Sequence, residues 1–248
     1  MKFFKWLEAF GDYSMLMWRS FGIPERWKEF FRRYMNEMYK LGIDSIPLIL
    51  IVSLFIGCLC TLLIKLEIQN PLLPRYTVGF TTREIIILEF SSTILCLILS
   101  GKIGSNIASE IGTMRVTEQI DALDIMGVNS ANFLVMPKVL ALVTIMPILV
   151  IIAMATSLFG GYAICFTGVL DPDTYIFGIQ TEFVPFNAYF ALIKSIVYGF
   201  LISSIAAYYG YTVKGGSVDV GKASTNAVVT TNVLILVFDV LMTKIFLM

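Results

Sequence analysis

The strongest constraint in this chain is the recurrence of apolar runs long enough to cross a bilayer. They fall at roughly 46–66, 85–108, 133–159, 188–212 and 227–247. A transmembrane helix needs about 20 apolar residues. Hydrocarbon offers the backbone no water, so a spanning segment must satisfy its own N–H and C=O groups, and a run of this kind does so as a helix. The composition agrees: 57% of residues are hydrophobic and 15% charged, against about 25% charged in soluble domains. The sequence therefore predicts an all-α polytopic membrane protein with five transmembrane helices. An amphipathic interfacial helix is expected ahead of them, and a short helix between spans two and three. Residues 1–42 read as an N-terminal interfacial region and 43–248 as the five-span domain.

Within the N-terminal region, Glu25 to Lys40 alternates aromatic and basic residues. Trp27, Phe31, Tyr34 and Met38 share one helical face, as in a helix lying in the headgroup layer. The first residues have no compact apolar core followed by a small-residue cleavage site, so they do not read as a signal peptide. Orientation follows from the basic residues. Eight precede span one (Lys2, Lys5, Arg19, Arg26, Lys28, Arg32, Arg33, Lys40). Lys102, Arg115 and Lys138 follow span two, and Lys214 and Lys222 follow span four. The other side has Lys65, Arg75, Arg83 and Lys244. By the positive-inside rule the N-terminus is cytoplasmic, the C-terminus lies outside, and the polar stretch 101–137 is cytoplasmic.

Several chemistries find no support. The chain has no His, which removes His-based metal sites, triads and pH switches. Cys58 and Cys60 lack a second ligand pair, and they read with Cys96 and Cys165 as packing residues. The net formal charge of zero exerts no pull toward nucleic acid. Residues 216–225, GSVDVGKAST, approach the phosphate-loop pattern, but Ala223 stands where a hydroxyl should hold magnesium, and no core strand precedes it. No nucleotide site, metal site, catalytic residue or bound cofactor is expected on this chain; any ATP-Mg would belong to a partner.

Two sets of polar residues call for explanation. Glu89, Lys194 and Asp239 lie inside apolar runs, where charge is costly. Counted along their helices, all three come within roughly 5–14 Å of the outer boundary. Either they form one polar site, or Lys194 snorkels while the acids face water. The second set is the stretch 101–137. Ile120, Leu123 and Met126 form a short apolar stripe beside Glu118, Asp121 and Asp124, and Gly127 fits a helix stop. This is either an ordinary interfacial connector or a coupling helix that docks into a soluble ATPase. Small residues recur at every fourth position, Ser100, Gly104, Ala108 and Gly112, and again Ser195, Gly199, Ser203 and Ala207. Such ridges bring helix backbones close, within one subunit or across a dimer. Pro147 predicts a kink in span three.

The run GKIGSNIASEIGTMRVTEQIDALDIMGVN, followed by MPKVLA, closely resembles the MlaE/YrbE-type permeases of ABC lipid transporters. GGYAICF, Lys194-Ser195, Gly215 to Val229 and the late Asp239 extend the resemblance over about residue 85 to the end. Residues 1–84 match weakly, and Phe90-Ser91-Ser92 replaces a turn common in the family. The resemblance implies a homodimer with two copies of a cytoplasmic ABC ATPase and a periplasmic MCE-domain partner. The implied cargo is phospholipid, and the implied location the bacterial inner membrane. Glu110, Arg115, Glu118, Asp121, Asp124, Met126 and Gly127 would form the ATPase-coupling segment. Glu89, Lys194 and Asp239 fall where the family carries intramembrane charges. The expected function is thus the permease subunit of a lipid transporter. The rival is an ion-coupled secondary transporter that uses those three charges as a relay. An intramembrane enzyme fits least, for want of a nucleophile–base pair.

Overall fold

A computed structural model describes residues 2–22, 27–68 and 74–247. Every regular element among them is helical: α1 (Lys2–Ser20), α2 (Trp27–Glu67), α3 (Thr77–Val116), α4 (Gln119–Ile125), α5 (Ser130–Cys165), α6 (Pro172–Gln180), α7 (Pro185–Tyr211) and α8 (Ser217–Leu247). Five of them, α2, α3, α5, α7 and α8, are long and apolar enough to cross a membrane. They correspond one for one to the apolar runs. Each polar flank has joined its helix, because a helix entering water keeps its hydrogen bonds there too. At about 1.5 Å per residue α3 is roughly 60 Å long, twice the hydrocarbon thickness, so its polar half extends beyond the bilayer core. α5 runs unbroken through Pro147, as membrane helices allow. Two helices carry wide π turns: Met38–Gly42 in α2, and Ile86–Ile94 and Ser100–Gly104 in α3.

The chain divides into two compact units. One comprises Met1–Ile43, Leu97–Ile145 and Val197–Phe238. Its α1 has three distinct faces. Leu16, Met17 and Ser20 are buried, Phe10, Met15 and Trp18 are exposed and apolar, and Glu8, Asp12 and Arg19 are exposed and polar. Tyr13 donates to Ser204 Oγ at 2.9 Å. The end of α1 is held by Asn132, whose Nδ2 donates to Ser20 O at 2.8 Å and Gly22 O at 2.6 Å. In the first part of α2, Trp27 and Phe31 are exposed and Tyr34 and Met38 half-buried; Glu25 and Arg26 lie outside the described residues.

The small-residue ridge of α3 is used within this unit. A Cβ on Gly104 would meet Ile202 at 3.7 Å, and one on Gly112 would meet Val220 at 3.1 Å. Ala108 is fully buried, and its carbonyl lies 2.7 Å from where a Cβ on Gly210 would stand. On α7, Gly199 and Ser203 are buried, and the Ser203 hydroxyl donates to Gly199 O at 2.7 Å. Both ridges are therefore spent on packing inside the subunit.

The other unit comprises Asp44–Cys96, Met146–Ile196 and Asp239–Met248. Here α2 crosses α5 at glycine contacts. A Cβ on Gly57 would lie 1.8 Å from Ser157 O, and one on Gly160 would lie 2.2 Å from Leu54 O. Backbone cannot retreat as a side-chain tip can, so Gly57→Ala is expected to cost about 1–3 kcal/mol through overpacking. Gly101→Ala, with nothing within 4 Å, should be neutral or better, and detergent melting temperatures would show the contrast. The short α6 packs against the start of α3 in the same way: Gly178 faces Tyr76 O and Gly79 faces Tyr175 O. Tyr175 is fully buried, and that burial pushes its phenol pKa up. The four thiols pack as expected; Cys58 Sγ donates to Gly160 O at 3.1 Å, and Cys60, Cys96 and Cys165 are buried.

Candidate functional site

Two features of the molecule combine polar chemistry with a defined geometry, and each lies within a single unit. The first is built on the π turn Ile86–Ile94 of α3. Wide turns of this type recur at functional sites, because the extra residue redirects the side chains around it. Glu89 and Thr93 leave α3 together, and the Thr93 hydroxyl lies 3.3 Å from Glu89 Oε2 and 3.0 Å from Asp239 Oδ1. Lys194, from α7, places Nζ 2.6 Å from Asp239 Oδ1, 3.2 Å from Glu89 Oε1 and 3.3 Å from the Leu88 carbonyl. Its ammonium also faces the Phe190 ring at 4.8 Å.

Lys194 is 0% exposed, whereas the Asp239 and Glu89 side chains are 15% and 42% exposed. The cation thus sits at the back, with a graded pair of carboxylates in front. The three charges meet in one cluster, so the snorkelling alternative for Lys194 does not apply. A buried ion group of this kind holds only where further hydrogen bonds complete it. Thr93 and the Leu88 carbonyl do so here, and neither is evident from the sequence. Two carboxylates facing a single buried ammonium can bind a cationic or hydrogen-bonding headgroup at their exposed side, or fix three helices in register.

A second buried cation was read from sequence only as a basic residue on one side of the membrane. Arg83 is 1% exposed. Its Nη1 donates to Ile179 O at 2.6 Å and Thr181 O at 2.7 Å, and its Nη2 to Glu182 O at 3.1 Å and Glu84 Oε1 at 2.6 Å. Glu84 in turn accepts from Asn187 Nδ2 at 2.6 Å. Arg83 therefore clamps the link between α6 and α7, including Glu182 at φ 49°. Only guanidinium has enough planar donors for this set. Arg83→Lys should cost about 2–3 kcal/mol, because buried carbonyls lose partners, and proteolysis of the α6–α7 link in the folded protein should accelerate.

The second feature is α4 and its approaches, in the other unit. Lys138, almost fully buried on α5, pairs with Glu37 at 2.6 Å and Glu110 at 3.1 Å, and Lys40 pairs with Glu110 at 2.8 Å. Glu110 is thus an internal anchor of α2, α3 and α5 rather than a free surface acid. Arg115 pairs with Asp121 at 2.6 Å across the turn. Glu118 holds that turn in the left-handed region, φ 60°, an uncommon conformation for a residue with a Cβ. Ile120 is fully buried and fixes α4 from below. Asp124 Oδ1 accepts from Ser130 N at 3.4 Å.

At the far end, Gly127 has φ +78°. Val128 N donates to Leu123 O at 3.1 Å and Gly127 N to Asp124 O at 3.0 Å. This is a Schellman stop, at the glycine where the sequence predicts one. The apolar stripe differs from expectation at its end. Met126 caps the helix instead of joining the buried side, because the chain reverses at Gly127. Ile125 and Met126 are 87% and 68% exposed. The seven-residue helix thus presents two adjacent large apolar side chains on a firmly held base. The phosphate-loop-like segment makes no loop: Gly221 and Lys222 lie inside α8, and Lys222 pairs with Asp219 at 3.0 Å.

Known proteins resemble this chain along most of its length. Residues 34–245 match the family described as Permease MlaE, which takes in span one as well as the motif-bearing part of the chain. A probable ABC transporter permease protein of Rickettsia bellii is 33% identical over 225 residues, covering 88% of this chain and 84% of the relative. A probable ABC transporter permease protein of Synechocystis is 30% identical over 200 residues, covering 80% and 76%. The chloroplastic protein TRIGALACTOSYLDIACYLGLYCEROL 1 of Arabidopsis thaliana is 28% identical over 250 residues, covering 94% and 69%. With the match running through all five apolar helices, the chain belongs to the MlaE permease family and is an ABC transporter permease.

Proposed function

We propose that this permease moves phospholipid or a related lipid between the inner membrane and a periplasmic MCE-domain partner. It works as a homodimer, driven by two copies of a separate cytoplasmic ATPase. The N-terminus is then cytoplasmic and the C-terminus periplasmic. The observation that carries the reading is the form of α4: a short helix anchored by Ile120 and the Arg115–Asp121 pair, stopped by Gly127, with Ile125 and Met126 facing outward. Exposed adjacent apolar side chains on a rigid base suit a groove on a partner protein. Because Glu110 is tied to Lys40 and Lys138, a pull on α4 is transmitted into α2, α3 and α5 rather than absorbed by a loose loop.

Lipid as cargo is supported by the name of the Arabidopsis relative, which refers to a diacylglycerol-based lipid. The cluster of Glu89, Lys194 and Asp239 offers polar contacts for a headgroup inside an otherwise apolar helix set. Mild-detergent purification of the tagged chain, with mass spectrometry of co-purifying proteins and lipids, tests the assembly. An ATPase, an MCE-domain protein and bound phospholipid are the expected companions. Recovery of the chain without an ATPase, under conditions that keep other membrane complexes intact, would sink the reading. Transport that persists without ATP and collapses with a proton ionophore would favour an ion-coupled mechanism instead.

A further inference from the structure

The unit that holds the charge cluster also contains a pocket that the cluster does not use. It has a volume of about 430 Å³, within the range of small-molecule sites. Lys65, near the end of α2, and Arg75, just before α3, form one part of its wall. The link between α5 and α6, from Cys165 to Pro172, forms the rest. The base is fixed and apolar: Cys165 and Leu170 belong to the buried cluster around Tyr175.

Three charged residues, Lys65, Arg75 and Asp171, stand on this wall. Among the described residues, neither Lys65 nor Arg75 makes an ion pair, and Asp171 pairs with neither. Asp171 is the N-cap residue of α6 with an extended backbone, yet its carboxylate makes no capping bond. An Asp at that position normally accepts a backbone N–H. Its carboxylate is thus left available to the pocket.

The combination narrows the ligand. A simple anion gains from Lys65 and Arg75 and loses from Asp171; a simple cation does the reverse. A group that carries a phosphate and an ammonium a few bonds apart satisfies all three. The setting narrows it further. Lys65 lies in the last turn of the apolar segment Ile46–Glu67, where a spanning helix reaches the headgroup layer. Phe166 is exposed on the pocket wall, and Val169 and Leu170 line it as well. These give an acyl chain apolar contact beside the headgroup. We propose that the pocket holds a zwitterionic glycerophospholipid, with the phosphate on Lys65 and Arg75 and the ammonium on Asp171. It is a lateral lipid site, separate from the Glu89–Lys194–Asp239 cluster and independent of ATP.

The test is native mass spectrometry of the full chain in detergent, titrated with phosphatidylethanolamine, phosphatidylglycerol or free glycerophosphoethanolamine. One phosphatidylethanolamine should bind with a preference over phosphatidylglycerol. Lys65→Gln with Arg75→Gln should weaken it by about tenfold or more through loss of two charge-assisted contacts. Asp171→Asn should abolish the preference without weakening phosphatidylglycerol. Unchanged phosphatidylethanolamine binding in the double variant, or an unchanged preference in Asp171→Asn, overturns the proposal. Saturation by glycerophosphoethanolamine at the same concentration overturns a bilayer lipid as the occupant. Loss of the bound lipid in Lys194→Met reassigns it to the charge cluster and also overturns the proposal. No ATPase is present, so failure of the transport reading leaves the result unaffected.

Discussion

Lys194→Met should lower the stability of this permease by roughly 3–5 kcal/mol, the usual cost of removing one partner from a buried ion group. Methionine keeps most of the volume of lysine, so the loss reports charge rather than a cavity. With the ammonium gone, the Glu89 and Asp239 carboxylates, which lay 3.2 Å and 2.6 Å from it, repel each other across the Thr93 hydroxyl. A melting temperature in detergent lower by roughly 10 °C is the expected reading. The triple variant Glu89→Gln, Lys194→Met, Asp239→Asn should regain most of that stability, since neutral groups of similar size often replace a buried ion group at little cost. On the proposed function, lipid movement by the reconstituted transporter should be lost in Lys194→Met and stay lost in the triple variant. If movement returns along with stability, the charges only hold helices in register and take no part in transport.

Ile125→Glu combined with Met126→Glu should leave the melting temperature unchanged and abolish ATPase association. Both side chains are exposed, so the fold has little to lose. A central apolar anchor of an interface is worth 2 kcal/mol or more, about 30-fold in affinity per residue, and burying a carboxylate there adds a further penalty. Ile120→Ala should behave in the opposite sense. It removes a fully buried side chain, costs about 2–5 kcal/mol, and loosens the base of α4. Pull-down with the ATPase and melting in detergent separate the two classes. Retention of the ATPase by the double glutamate variant would show that α4 is not the docking helix.

Much of this architecture was legible in the sequence because lipid imposes it. Runs of about 20 apolar residues have few ways to satisfy their backbone in hydrocarbon, so five helices follow from hydropathy alone. The stop at Gly127 was legible because a glycine after a periodic stripe supplies the left-handed residue that a Schellman motif needs. The meeting of Glu89, Lys194 and Asp239 fits a count of residues along three helices whose directions the positive-inside rule predicts.

Other features were not legible, for reasons that are also physical. An α-helix that is apolar all round gives no signal for which side faces a neighbour. The sequence could not say whether Gly104 and Gly112 serve a subunit or a dimer; contacts with Ile202 and Val220 decided that. Thr93 lies four residues from Glu89 and shares its helix face, but only the approach of Asp239 and Lys194 showed that it and the Leu88 carbonyl complete the charge cluster. Arg83 reads as one more basic residue in the sequence; the fold surrounds it with one carbonyl from the last turn of α6 and two from the α6–α7 link. Ile125, absent from the predicted stripe, is 87% exposed because the buried Ile120 fixes the rotation of that helix.

The sequence by itself determined the solvent, the number of spans, the family and the position of the polar segment, since each depends on local composition or on a contiguous motif. The tertiary structure decided which side chains meet. Rotation about a helix axis, glycine-to-backbone approach and the register of a π turn are set by packing between distant segments, and none of them leaves a periodic trace in an apolar run.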